Sequence, residues 1–158
     1  MAVSAFVVRP LGSSDAPAVL AVARGLPKWF TAEGIEGIRR DLESHEGFVA
    51  VRGDCALGFA TWFPWDPEVA ELSWIAVAEE EHGQGAGTAL LAAIAEAARL
   101  GGHRFLEVST VADTVDYAPY AESREFYRAR GFVDYRVDNE FDGQGDDRYD
   151  RLLLRLPL

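Results

Sequence analysis

Three glycines in five residues, Gly83-Gln84-Gly85-Ala86-Gly87, have the plainest chemical use in this sequence. Glycine leaves backbone amides unshielded, and the run stands where a helix begins, at the end whose N–H groups lack partners within the helix. Bare amides at that positive end are suited to phosphate or pyrophosphate. A flexible turn is the plainer alternative, since glycine clusters are common punctuation. Spacing argues against two other phosphate loops. A P-loop ends in Gly-Lys-Ser/Thr, and the chain has no Gly-Lys pair. A dinucleotide fingerprint needs GxGxxG tight against its strand, but Thr88 stands at the third small position and Ala78 to His82 separate Val77 from Gly83. Glu107 fits that fingerprint's ribose acid only superficially.

Further groups could move protons: the carboxylates Glu71 and Glu107, the phenol of Tyr127, and His82 beside the glycines. His82 titrates in the useful range, yet its place in the loop suits a positioning or surface role better. His45 and His103 sit at helix-end turns without metal-ligand spacing, so no metal site is expected. Glu79-Glu80-Glu81 reads as a solvated turn. Cys55 has no acid–base partner near it in sequence and reads as structural.

The elements that must hold these groups follow from periodicity. Val69 to Val77 is β-branched and aromatic and reads as the strand feeding the loop. Strict alternation along it puts Glu71, Ser73, Ile75 and Val77 on one face. Thr88 to Leu100 reads as a helix with Leu90, Leu91, Ile94, Ala97 and Ala98 on one apolar face, closed by Gly101 and Gly102. Before them come an edge strand over Ala5 to Arg9, a short helix after Ser13-Ser14-Asp15, and a helix capped by Thr31 and ending near Ser44. Strands over Phe48 to Arg52 and Ala56 to Phe63 meet at Gly53-Asp54. After them come a strand over Arg104 to Thr110, a loop over Val111 to Pro119, a helix over Ala121 to Arg130, and strands over Phe132 to Val137 and Arg151 to Leu156. Asp138 to Asp150 reads as a solvated loop. The order β-α-α-β-β-β-α-β-α-β-β is a mixed α/β arrangement in one domain, residues 1–158.

Two segments and this order together resemble the GNAT (Gcn5-related) N-acetyltransferase superfamily. His82-Gly83-Gln84-Gly85-Ala86-Gly87, followed by Thr88-Ala89-Leu90-Leu91, is similar to that family's motif A, Arg/Gln-x-x-Gly-x-Gly/Ala before a Leu-Leu pair. His82 replaces the usual Arg or Gln, a change the amide cradle does not feel. Tyr120-Ala121-Glu122-Ser123-Arg124-Glu125-Phe126-Tyr127, closing with Gly131-Phe132, is similar to motif B in its Tyr-x-x-Thr/Ser-Arg-x-Phe-Tyr form. The resemblance implies the GNAT fold, a mixed and mostly antiparallel sheet flanked by helices, and acetyl-CoA as acyl donor.

The resemblance also implies roles. Residues 82–88, His82 to Thr88, would hold the pyrophosphate, with Ser123 and Tyr127 nearby. Ile75, Ala76 and Val77 would pair with the pantetheine arm and supply an oxyanion amide. Tyr127 would protonate the leaving thiolate; a core tyrosine is the alternative, given Phe126 and Phe132 beside it. Glu71 would serve as base, directly or through water, with a solvated strand end as its alternative; Glu107 is the runner-up, and pairing with an arginine fits it as easily. Trp29 and Phe30 could wall the acceptor pocket, although a hydrophobic staple is the blander reading.

With 158 residues, 49% hydrophobic and 26% charged, the chain is long enough for a real core. Its net charge of -11 argues against nucleic-acid or anionic-membrane partners and would suit a cationic substrate. A single cysteine excludes an internal disulfide, and no apolar run is long enough to span a bilayer, so the expectation is a cytoplasmic protein. Three functions compete: N-acetyl transfer to an amine of a small molecule or peptide, with a homodimer left open; a catalytically idle CoA-binding sensor or interaction module; and a nucleotide-binding domain, nearly excluded by the loop spacing.

Overall fold

The computed structural model describes residues 5–142 and 148–158. Seven strands form one sheet: β1 (Val7–Pro10), β2 (Glu46–Arg52), β3 (Cys55–Pro64), β4 (Val69–Val77), β5 (Phe105–Val111), β6 (Val133–Asp142) and β7 (Arg148–Pro157). Four helices accompany them: α1 (Ala16–Arg24), α2 (Ala32–Asp41), α3 (Ala86–Leu100) and α4 (Ala118–Ala129). The strand order is β1-β2-β3-β4-β5-β7-β6, antiparallel throughout except for the β4–β5 pair. This is the expected mixed, mostly antiparallel sheet.

Two apolar clusters lie on opposite faces of the sheet. On one face Leu90, Leu91, Ile94 and Ala98 of α3 pack with Tyr127 of α4 onto Ala60, Trp62, Ala70, Leu72 and Leu106. On the other, Val19, Leu20 and Ala23 of α1 and Ile38 of α2 cover Phe59 and Ala76, with Trp74 packed against them. Burying a large aliphatic side chain contributes about 1.5–3 kcal/mol, so each face holds its helices mainly by packing. Thr31 caps α2 as its sequence predicts, its hydroxyl accepting from the Gly34 amide at 3.1 Å.

Boundaries depart from the sequence reading most at three places. α4 starts at Ala118 rather than Ala121, with Pro119 in the first turn, where proline's missing N–H costs nothing. α2 ends at Asp41, not near Ser44, and a turn leads to His45. The stretch Asp138 to Asp150 is not all loop: β6 continues to Asp142 and β7 begins at Arg148, while residues 143–147 of that expected loop lie outside the described residues. Cross-strand pairing explains this, because Asp138 faces Arg151 in the ladder and forms an ion pair with it, so an acid that looked like a loop signal is a strand partner.

A larger correction concerns β4. Leu72 pairs with Trp62 and Trp74 with Thr61, leaving Ser73 as an extra residue, a β-bulge. The bulge reverses the alternation: Ala70 and Leu72 before it, and Ile75 and Val77 after it, all face α3. Glu71 therefore shares its face with Trp74 and Ala76, toward α1 and α2, rather than with Ile75 and Val77 as strict alternation predicts.

Candidate active site

β4 and β5 pair only over Val69–Glu71 with Phe105–Glu107. Beyond that point the strands part, and the gap opens a cleft of about 1210 Å³. Its walls combine Ile75, Ala76 and Val77 of β4, Ser109 and Thr110 of β5, the glycine loop, and Ser123, Phe126 and Tyr127 of α4. A parted parallel pair leaves strand amides and carbonyls without sheet partners, free for a ligand that runs along β4.

At one end lies the glycine loop. Gly83 and Gly85 take φ values of +79° and +92°, the region that disfavours other residues, and Gly85 is the residue before the first turn of α3. A Cβ built on either meets no atom within 4 Å, so the space beside both residues is open. Gly87 differs: its Cβ would press on the Phe126 ring at 3.2 Å, so its smallness lets α3 approach α4. His82 is exposed, and its Nε2 donates to the Val77 carbonyl at 2.7 Å while the ring meets Trp29 edge-on. This bond ties the loop to the end of β4. Gln84 is exposed and outside the cleft wall, whereas Thr88 lines it.

Arg130 is a residue the sequence reading passed over. Its Nε donates to Thr88 Oγ1 at 2.8 Å, a terminal nitrogen donates to the Phe126 carbonyl, and the guanidinium lies 3.8 Å from the Phe126 ring centre. It brings a fixed positive charge to the start of α3. The loop, the dipole and this arginine fit a diphosphate ester with no further element required.

Tyr127 is 8% exposed and packs edge-on against Phe126 and Phe132. Its hydroxyl has no hydrogen-bond partner among the described residues, and the side chain lines the cleft. Burial pushes its phenol above the ordinary value, so it stays protonated at neutral pH. Core packing and an available proton thus coexist in one residue. Ser123 lines the same wall and donates to the Pro119 carbonyl at 3.2 Å.

The opposite end is aromatic and acidic. Phe30, Phe63 and Trp74 line it with Asp41 and Glu71, while Trp29 lines the cleft beside His82 of the loop. Trp29 and Phe30 are therefore cleft walls as well as core contacts, and the Trp29 indole donates to the Pro119 carbonyl at 3.1 Å. Glu71 is half-buried, and burial, reinforced by the neighbouring Glu107 charge, raises its pKa. Glu107 is Glu71's partner in the parallel ladder, yet its carboxylate accepts from Arg155 at 2.8 Å and it is not part of the cleft wall. Asp41, Ser73, Trp74 and His45 were not singled out as site residues, because only the bulge and the turn after α2 bring them together. Among the described residues, no group of three or more His, Cys, Asp or Glu side chains could hold a metal ion, and no helix is long and apolar enough to cross a membrane.

This geometry has close counterparts. The model of the acetyltransferase (GNAT) family matches residues 19–132. A protein assigned to the GNAT acetyltransferases from Desulfovibrio desulfuricans superimposes with a TM-score of 0.83 at 28% identity, covering 97% of this chain and 99% of that one. A ribosomal-protein-alanine N-acetyltransferase from Brucella melitensis superimposes with a TM-score of 0.73 at 25% identity over 96% and 99%. A GNAT acetyltransferase from Elizabethkingia anophelis, solved with acetyl-CoA bound, shares the fold with a TM-score of 0.72 at 21% identity over 97% and 98%. A comparison with curated proteins yields no match.

Proposed function

We propose that this chain, which belongs to the GNAT family of acetyltransferases, moves an acetyl group from acetyl-CoA directly to a primary amine of a small molecule or peptide. The observation that carries this reading is the parting of β4 from β5, which joins the glycine loop, the Tyr127 hydroxyl and the Glu71 carboxylate in one cleft. The pyrophosphate would rest on the amides of residues 83–88 with Arg130 alongside, and the pantetheine arm would pair with Ile75, Ala76 and Val77. That arrangement would put the thioester between Tyr127 and the aromatic, acidic end.

The chemistry follows from that placement. The amine must first lose a proton, and Glu71 is the carboxylate positioned to take it, directly or through water. The amine nitrogen then bonds to the thioester carbon, and an unpaired β4 amide would stabilise the oxyanion. The carbon–sulfur bond breaks as the thiolate leaves. A free thiol ordinarily titrates near ~8.5, below the Tyr127 phenol. Tyr127 would therefore pass a proton from the adduct nitrogen to sulfur, giving one as it receives one. Asp41 and Glu71 in the acceptor end, together with the chain's net charge of -11, favour a cationic amine.

The test is a panel of amines incubated with acetyl-CoA, reading free thiol and the mass of the N-acetyl product. Thiol release dependent on one amine class supports the reading. Tight CoA binding with no transfer to any amine would favour the idle binding module instead.

A further inference from the structure

Behind the acceptor wall lies a chain of polar groups that the reaction as described does not use. Ser73, the bulged residue of β4, lines the cleft. Its Oγ lies 2.9 Å from His45 Nδ1 and 2.7 Å from Thr61 Oγ1. His45 is held in place by its own amide, which donates to the Asp41 carbonyl at 2.8 Å, and by stacking on Phe63 with ring centres 4.6 Å apart. Its Nε2 lies 4.0 Å from Asp41 Oδ1, while Asp41 Oδ2 accepts from the Trp74 indole at 2.8 Å. His45 itself does not line the cleft; it stands on the far side of Ser73, with its side chain 14% exposed.

We propose that Ser73 and His45 form a second proton-accepting arm of this acetyltransferase, relaying the acceptor amine's proton from the cleft to the far side of the β4 wall. The inference rests on the amine-transfer reading and deepens it. Asp41 beside Nε2 favours the tautomer with the ring proton there, which leaves Nδ1 as an acceptor. Thr61, fully buried, then donates to Ser73, and Ser73 donates to Nδ1. As the ammonium gives a proton to Ser73 Oγ, Ser73 gives its own to Nδ1. The neutral amine and an imidazolium facing Asp41 result. In a turnover that uses this arm the imidazolium, and not Glu71, carries the one proton the overall transfer releases and returns it to water after product leaves, while the Glu71 charge holds the ammonium in place.

The electrostatics suit an acceptor. Burial lowers the His45 pKa from the ordinary 6.5, Asp41 raises it and Arg40 lowers it, so the ring is neutral and ready at physiological pH. Those two charges come from the end of α2; Phe63 of β3 and Ser73 of β4, packed on the ring, bring none. The bulge has a purpose under this reading. Without the extra residue, the serine would not turn toward His45 and Thr61 on the α2 face while Ile75 to Val77 kept their side chains in step for the donor.

Nitrogen-15 imidazole spectra of the wild-type protein read the starting state without any substrate, with His45→Gln supplying the assignment. The expected result at about pH 7.5 is a proton on Nε2, a bare Nδ1 and a titration midpoint below 6.5. A protonated Nδ1 overturns the relay. With an amine that supports turnover, His45→Gln and Ser73→Ala should each lower kcat by about tenfold or more and remove the same acid-side inflection from its pH profile. KM for acetyl-CoA should hold, and the double variant should lose no more than either single. An inflection that survives in a folded His45→Gln enzyme of normal kcat overturns the proposal. A wild-type protein that transfers to no amine overturns the amine-transfer reading instead, and the spectra still decide whether His45 is set as an acceptor.

Discussion

The donor end and the acceptor end of the cleft are made of different material. The core of the proposed donor end is one unbroken piece of chain, residues 82–88, which would work mostly through backbone amides at the start of α3. The acceptor end is made of side chains from α2, β3 and β4, drawn together by the turn after α2 and the bulge at Ser73. A backbone site tolerates almost any neighbouring side chain but fails when an amide is covered. A side-chain site withstands backbone adjustments nearby but is altered by a single atom exchange. The two ends should therefore fail in different ways when mutated.

The largest effect is expected at the donor end. Gly85→Glu puts a carboxylate on the bare amides and a Cβ on a residue at φ +92°, so CoA binding should be lost. Thermal-shift titration with CoA checks this, and unchanged stabilisation would remove the loop as the site. Where the two ends meet, Tyr127→Phe should lower turnover by about ten- to a thousandfold. No described residue bonds the hydroxyl, so stability should stay within about 1 kcal/mol, the net value of one hydrogen bond. A core-only role predicts lost melting temperature with normal turnover, and both can be read on one preparation.

At the acceptor end, Glu71→Gln should cut turnover by about a hundredfold while CoA affinity holds, the reverse of the Gly85 variant. The pH dependence has a definite sign. A base must be ionised, and the Glu71 pKa is raised, so its contribution to rate falls away at a higher pH than an exposed glutamate would show. Stability runs the other way. A raised carboxyl pKa means that folding penalises the charged form, a cost present at neutral pH and relieved as pH falls through the raised value. Glu71→Gln should therefore melt at least as high as wild type at neutral pH, which calorimetry can check. The smallest effect is expected of Arg130→Leu, which should raise KM for acetyl-CoA about tenfold, the scale of one charge-assisted contact, with kcat unchanged. A larger loss in kcat would show that the donor end does more than bind.

Much of the donor end was legible in the sequence because its determinants are local. Glycine spacing sets φ at Gly83 and Gly85, alanine and leucine make α3, and both lie within one stretch of chain. The element order was legible for the same reason, as hydrophobic period and turn residues act over a few positions. The acceptor end was legible only in part: Trp29, Phe30 and Glu71 stood out as residues, but not the arrangement that puts them in one cleft. Strict alternation placed Glu71 with Ile75 and Val77, and a one-residue bulge, which no local propensity announces, set it beside Trp74 instead. Glu107 read as a rival base or as an arginine's partner, and only the β5–β7 pairing brings Arg155 against it. His45 looked like a helix-end histidine, and its meeting with Ser73 depends on how α2 lies on the sheet. Local chemistry is written along the chain; side chains distant in sequence acquire their roles only once burial and strand register decide what faces what.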